Sequence, residues 1–314
     1  MMAQKLRGFM IRRVPVRSHV VALVLLWIAP LVLAQSEHYR KALASYRDKR
    51  YLEALVWIQQ AVAAEDDKAA YYLLQGEVYS ALRQFSDAEA SLRRAVELEP
   101  DLAGAHFQRA VLFLRDNKYR RAATALERVA AVEPGNLRAR LLLGNVYCLQ
   151  LNLDSLALQQ FTAVAEADPR YPAVQFGLGR LLFRRGRDRE AVERFRSELE
   201  AHPEHAEARF HLAKALLRMG RTEEVLDHLQ ALRGKKVDQA ELHFFLAKTY
   251  HRLKHPAKAI EALLQGIDLK PDFPDAHYLL ARLYLETGRP QDARKQMDRF
   301  EQIRDREGRG RLRP

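Results

Sequence analysis

His251 and His255 stand four residues apart, a spacing that can bring two imidazoles onto one helix face. His202 and His205 stand three apart beside Pro203. Either pair could begin a metal site, because neutral imidazole is a common metal ligand. A metal site recruits three or four ligands with supporting groups, and no cysteine or regular carboxylate set completes either pair. Both pairs are therefore read as solvated histidines, and no metal is assigned. Cys148 is the only cysteine, so an intrachain disulfide is impossible, and no basic neighbour in the sequence marks its thiol as reactive. Gly177 and Gly179 form a fragment of a nucleotide fingerprint inside an expected helix. Gly-x-Ser-x-Gly, His-Glu-x-x-His and Gly-rich phosphate-loop patterns do not occur. No catalytic residue and no cofactor follow from these motifs, and an enzyme is the least supported class.

The elements that carry these residues recur. The stretch from Ala69 to Leu102 has relatives beginning at Ala103, Leu137, Pro172, Ala206, Ala240 and Pro274, a step of about 34 residues. A worn first copy begins at Gln35. Within the clearest copy, Tyr72, Gly76 and Tyr79 have helical spacing, and Ala88, Leu92, Ala95 and Leu98 repeat it after a break at Arg83-Gln84. This predicts two amphipathic helices joined by a short turn, with Pro100 ending the second.

Small residues hold the eighth place of each copy: Ala42, Gly76, Ala110, Gly144, Gly179, Ala213, Ala247 and Ala281. A column of large residues recurs as well: Ile58, Leu92, Leu126, Phe161, Phe195, Leu229, Leu263 and Met297. Leu143-Gly144 with Tyr147, and Leu178-Gly179 with Ala191, Phe195 and Pro203, resemble the tetratricopeptide repeat. The resemblance covers almost all of the chain after residue 34. It implies an all-α fold, a right-handed α-solenoid of stacked helix-turn-helix repeats, with copies at 35–68 (degenerate), 69–102, 103–136, 137–171, 172–205, 206–239, 240–273 and 274–307.

Departures from the pattern carry their own expectations. One extra residue in the copy at 137–171 predicts a longer turn around Asn152 to Ser155. Glu198 replaces an alanine, which predicts a loosened interface there. Val237 stands where a terminal proline belongs, so the preceding helix is expected to end near Gly234. Lys41 and Ser45 suit an end unit exposed on one side. Ala293, Met297, Phe300 and Ile303 form the single apolar stripe of a capping helix, and 308–314 reads as a disordered basic tail.

The resemblance further implies a concave groove lined by the first helices. Its fifth place would hold Phe107, Phe176, Phe210, Phe244 and Tyr278, its ninth Arg180, Lys214, Lys248 and Arg282, and its thirteenth Arg115, Arg184, Arg218 and Arg252. Cys148 falls on the same face. Such a groove would be basic in its C-terminal half with an aromatic floor, suited to an acidic protein or peptide. Two readings of the aromatics stay open, apolar anchors for a partner or packing between copies. The carboxylate clamp known in related proteins is excluded, because the fifth place is apolar throughout and Asn145 has no lysine beside it.

Residues 1–34 stand apart from the repeats. Lys5, Arg7, Arg12, Arg13 and Arg17 precede an uncharged apolar run from Val20 to Ala34. This is the pattern of a secretory signal with cleavage expected after Ala34, and Met10 is an alternative start. An uncleaved anchor is the rival, disfavoured by Pro30 and by a run shorter than about 20 residues. Removing these five charges from the formal net charge of +12 leaves +7, too mild and too dispersed for a nucleic-acid binder. The sequence thus predicts an exported, periplasmic or secreted, non-enzymatic scaffold for a protein or peptide. The alternatives are an inner-membrane-anchored assembly factor and a binder of anionic polymers or glycans.

Overall fold

The computed structural model describes residues 37–311, with side chains to residue 306. The expected signal segment, its cleavage site after Ala34 and the last three residues lie outside the described residues. Among the described residues there are sixteen α-helices and no strand, an all-α helical repeat solenoid. The described residues divide into two compact units, parting between Asn117 and Lys118. In the first lie α1 (Glu37–Arg47), α2 (Tyr51–Ala64), α3 (Ala69–Ala81), α4 (Phe85–Leu98) and α5 (Ala103–Arg115). The second begins with α6 (Tyr119–Val132), α7 (Leu137–Asn145), α8 (Asp154–Ala167), α9 (Val174–Arg184), α10 (Asp188–Ala201) and α11 (Ala206–Arg218). It ends with α12 (Thr222–Gln230), α13 (Gln239–Arg252), α14 (Pro256–Leu269), α15 (Pro274–Glu286) and α16 (Pro290–Arg311).

The turn inside each copy is built the same way. Lys49, Arg83, Asn117, Asn152, Gly186, Gly220, Lys254 and Gly288 all take positive φ, at corresponding places in the eight copies. The next amide reaches back over the helix end, as in Gln84 N to Tyr79 O at 2.9 Å and His255 N to Tyr250 O at 2.9 Å. That is the Schellman closure, and the residue donating this bond also precedes the second helix, which folds the pair into a hairpin where both helices lie in one unit.

The end of each copy is set by proline. Glu99, Glu133, Asp168, His202 and Lys270 each precede a proline and each adopt extended ψ, between 74° and 99°, which stops the helix. The freed proline carbonyl is then bonded by the fourth residue of the next copy. His106 Nε2 lies 2.8 Å from Pro100 O, Arg140 Nε 2.7 Å from Pro134 O, and Gln175 Nε2 3.1 Å from Pro169 O. Arg209 and His277 do the same with Pro203 and Pro271. Where Val237 replaces the proline, His243 has no such carbonyl and its buried Nδ1 lacks a partner. There α12 stops at Gln230, four residues before the expected Gly234.

Packing follows the small and large columns. Ile58, Leu92, Leu126, Phe161, Phe195, Leu229 and Leu263 are fully buried. A Cβ on Gly76 would come within 2.6 Å of Leu92, on Gly144 within 2.7 Å of Phe161, and on Gly179 within 2.7 Å of Phe195. Gly177 presses the same Phe161 ring from the next copy, at 2.8 Å. These close approaches need hydrogen at Cα, and any larger atom must displace a ring or a branched side chain.

Four expectations are corrected. The extra residue of the fourth copy is not absorbed in a longer loop. It forms a π-helical turn, Val146–Gln150, in which Leu151 N bonds Val146 O at 3.1 Å. Glu198 does not loosen its interface. It is 1% exposed, and its carboxylate accepts from Ala173 N at 2.9 Å, Phe176 N at 3.2 Å and His205 Nδ1 at 2.8 Å. Burial alone would raise this carboxyl, but the bonds from His205 and the two amides outweigh it and hold it below its ordinary value. A carboxylate lent by α10 thus satisfies the opening amides of α9. Ser45 is buried, while Lys41 is exposed, paired with Glu37 at 2.7 Å and set over the Trp57 ring. Finally, α16 runs to Arg311, so the segment from Gly308 is helical over its first four residues. Ala293 and Ile303 on its apolar stripe are buried, as expected of a cap.

Candidate functional site: the first-helix face

In the second unit the first helices α9, α11 and α13 touch in succession, so their equivalent places form columns. The fifth-place aromatics split into two groups. Phe176 is 9% and Phe210 2% exposed, and both belong to the core. Phe176 packs edge-on to His205 and His211, at 4.8 and 5.4 Å between centroids. Phe244 is half-buried and Tyr278 is 43% exposed, so only the C-terminal end of the floor is open. In the first unit Phe107 is half-buried.

The thirteenth-place arginines do not form a free basic field. Arg184 donates to the Cys148 carbonyl and to Asn152 Oδ1, and pairs with Asp154. Arg218 donates to the Phe183 carbonyl and grips Asp188, with Nε 2.6 Å from Oδ2. Arg252 donates to the Leu217 carbonyl. Each arginine reaches back one copy to the closing carbonyls of the preceding first helix. Two of them also reach the aspartate that opens the following second helix. They are ties between copies, placed where a helix C-terminus favours positive charge. Arg115 in the first unit pairs with Asp116 and lies over the Phe85 ring.

The ninth-place cations differ among themselves. Lys214 Nζ lies 2.8 Å from Glu241 Oε1. Arg180 donates to Asn145 Oδ1 at 3.0 Å and stacks on Phe176. Arg282 is exposed, with Glu286 at 3.8 Å. Lys248 is half-buried and, among the described residues, has no hydrogen-bond or ion-pair partner. Burial, helped by nearby Arg252, pulls its ammonium below the usual lysine range.

Lys248 opens onto a cleft of about 470 Å³ between α13 and the start of α15. Phe244, Phe245 and Phe273 form its apolar wall, and Asp238, Glu241, Lys270 and Asp275 stand beside them. Phe244 meets Phe245 at 5.7 Å and Phe273 at 5.1 Å between centroids. Phe245, Phe273, Lys270 and Asp275 were not assigned from the sequence. The Phe244-Phe245 doublet and the Phe273-Pro274 pair were the available signals.

The residues that suggested metal chemistry point apart. His251 Nε2 meets Glu286 at 2.8 Å and His255 is exposed before α14. His202 bonds the Arg170 carbonyl and His205 bonds Glu198. Among the described residues no group of three histidine, cysteine or acidic side chains could hold a metal. Cys148 is 1% exposed within the π turn, with its side chain against the Arg180 guanidinium. No described helix is long and apolar enough to cross a membrane.

Three family profiles described as "Tetratricopeptide repeat" match residues 69–102, 107–172 with 150–193, and 189–249 with 251–303. No curated protein matches the chain. Among solved structures it resembles a tetratricopeptide repeat protein from Parabacteroides merdae ATCC 43184, with a TM-score of 0.58 and 16% identity, over 79% of this chain and 98% of that one. It also resembles the Cut9-Hcn1 hetero-tetramer of APC/C, with a TM-score of 0.60 and 18% identity, over 84% of this chain and 59% of that one. A third likeness is to Pseudomonas aeruginosa pilF, with a TM-score of 0.60 and 19% identity, over 69% of this chain and 98% of that one. At these identities the likeness shows the fold alone.

Proposed function

The chain is built of tetratricopeptide repeats, and from that premise we propose that it is an exported, non-enzymatic scaffold holding a protein or peptide on the first-helix face of its second unit. One observation carries the reading. Along that face the cations and aromatics are buried or tied within the chain until α13 and α15, where Lys248 has no ion pair among the described residues, Phe244 is half-buried, and Tyr278 and Arg282 are exposed beside Phe300 and Glu286. A surface of aromatic rings beside unpaired positive charge favours an acidic segment with apolar anchors. Export rests on residues 1–34 alone, with their basic start and apolar run.

The test is crosslinking in the native cell envelope, followed by identification of captured proteins and the mass of the mature N-terminus. A chain starting at Gln35 with a reproducible protein partner supports the reading. A chain retaining residues 1–34 turns it into the anchored assembly factor. Capture that polysaccharide abolishes and acidic peptide does not would mark a glycan binder. Charge reversal belongs at Lys248. At Lys214 it would set two carboxylates against each other and damage the fold instead.

A further inference from the structure

We propose that the cleft between α13 and α15 is the anchor point of the bound segment, taking one aromatic side chain against Phe244, Phe245 and Phe273 while the neighbouring Asp or Glu side chain of that segment pairs with Lys248. The inference rests on the scaffold reading above and names its partner chemistry. Three rings inclined at 80° and 47° to one another offer both faces and edges to an incoming ring. Lys248 Nζ sits 5.4 Å from the centroids of Phe244 and Phe245, so a carboxylate reaching it lies directly beside a ring held there.

Lys248 is the group that calls for an acid. Of the cleft's carboxylates, Glu241 is engaged by Lys214 and Asp238 accepts from the Glu241 amide at 3.0 Å, while Lys248, Lys270 and Asp275 have no ion pair among the described residues. A half-buried ammonium without an ion pair is costly, nearby Asp275 offsets only part of that cost, and a ligand carboxylate relieves the rest as it binds. The acid is a side chain of a segment running through the cleft. The face continues past it on both sides, with Lys214 on α11 and Tyr278 with Arg282 on α15, so the cleft lies along a track.

The experiment titrates the purified isotope-labelled protein by NMR with acetyl-Gly-Phe-Asp-Gly-amide. The comparisons are the Phe-Asn and Ala-Asp versions and acetyl-Gly-Phe with a free carboxyl end. The expected result is shifted amide resonances in α13 and the first turn of α15, with affinity at least about tenfold above the Phe-Asn and Ala-Asp probes. Lys248→Met keeps the apolar stem, and with an unchanged melting temperature it should bring Phe-Asp down to the Phe-Asn level. Phe244→Ala should do likewise. No binding up to about 10 mM, shifts elsewhere, or indifference to Lys248→Met would overturn the proposal. So would tighter binding of the free-carboxyl probe, which assigns Lys248 to a chain end. If the probe fails while partner crosslinks still form on this face, the anchor falls and the scaffold reading stands. If no partner crosslinks there, the scaffold reading falls whatever the probe does.

Discussion

His211 sits half-buried among Phe176, Phe183 and Phe195, with ring centroids 5.4 to 6.2 Å away and its Nδ1 unpartnered. Burial, then Lys214, Arg180 and His205, push its pKa down to about 3 from the ordinary 6.5. The unfolded chain therefore binds this proton first. Stability is full above pH 6.5 and declines as the pH falls from 6.5 toward 3, by at most about 1.4 kcal/mol per pH unit and less for the part of the ring that water reaches. His211→Leu should flatten the fall in melting temperature between pH 6.5 and 5 relative to the parent, and parallel curves would refute the assignment. Gly144 is the corresponding test of packing. A single methyl there meets the Phe161 ring at 2.7 Å, so Gly144→Ala should cost about 1–3 kcal/mol in urea unfolding despite alanine's better helix propensity. Gly135, with nothing within 4 Å of a built Cβ, is the neutral control.

The turn of each copy depends on one left-handed residue, and five of the eight are not glycine. Lys254 at φ 63° is fully committed to that conformation while exposed. Lys254→Gly should raise stability by up to about 1 kcal/mol, since the left-handed cost for an L-residue exceeds the extra chain entropy of glycine. A lowered melting temperature would contradict the Schellman account of the turn. Elements of this kind were only partly legible in the sequence. The period and the small and large columns could be read, because a close helix approach restricts residue type, but the meeting of Gly144 with Phe161 comes from the structure. Gly186, Gly220 and Gly288 marked the turn, whereas Lys49, Arg83 and Lys254 gave no sign of positive φ. The π turn at Val146–Gln150 also left no mark beyond one extra residue. Glu198 read as a defect because its partners are backbone amides and a histidine seven residues on.

For the molecule as a whole, the repeat fold was legible and the functional face was legible only in outline. The column of Arg184, Arg218 and Arg252 looked like a field because each has a backbone carbonyl among its acceptors, which has no identity in a sequence, and the side chains that Arg184 and Arg218 also reach lie about 30 residues back. What survives is a short open stretch on α13 and α15, where we propose that a partner protein lies. Tyr278 on α15 and Leu264 on α14 are equally accessible, 43% and 41% exposed, on a first and a second helix respectively. A photo-crosslinking amino acid placed at each, activated in the native cell, is the most direct measurement. The prediction is a covalent adduct with a partner from position 278 that is reduced by Lys248→Glu, and none from position 264. Adducts from 264 alone, or equal adducts from both that ignore Lys248→Glu, would contradict it.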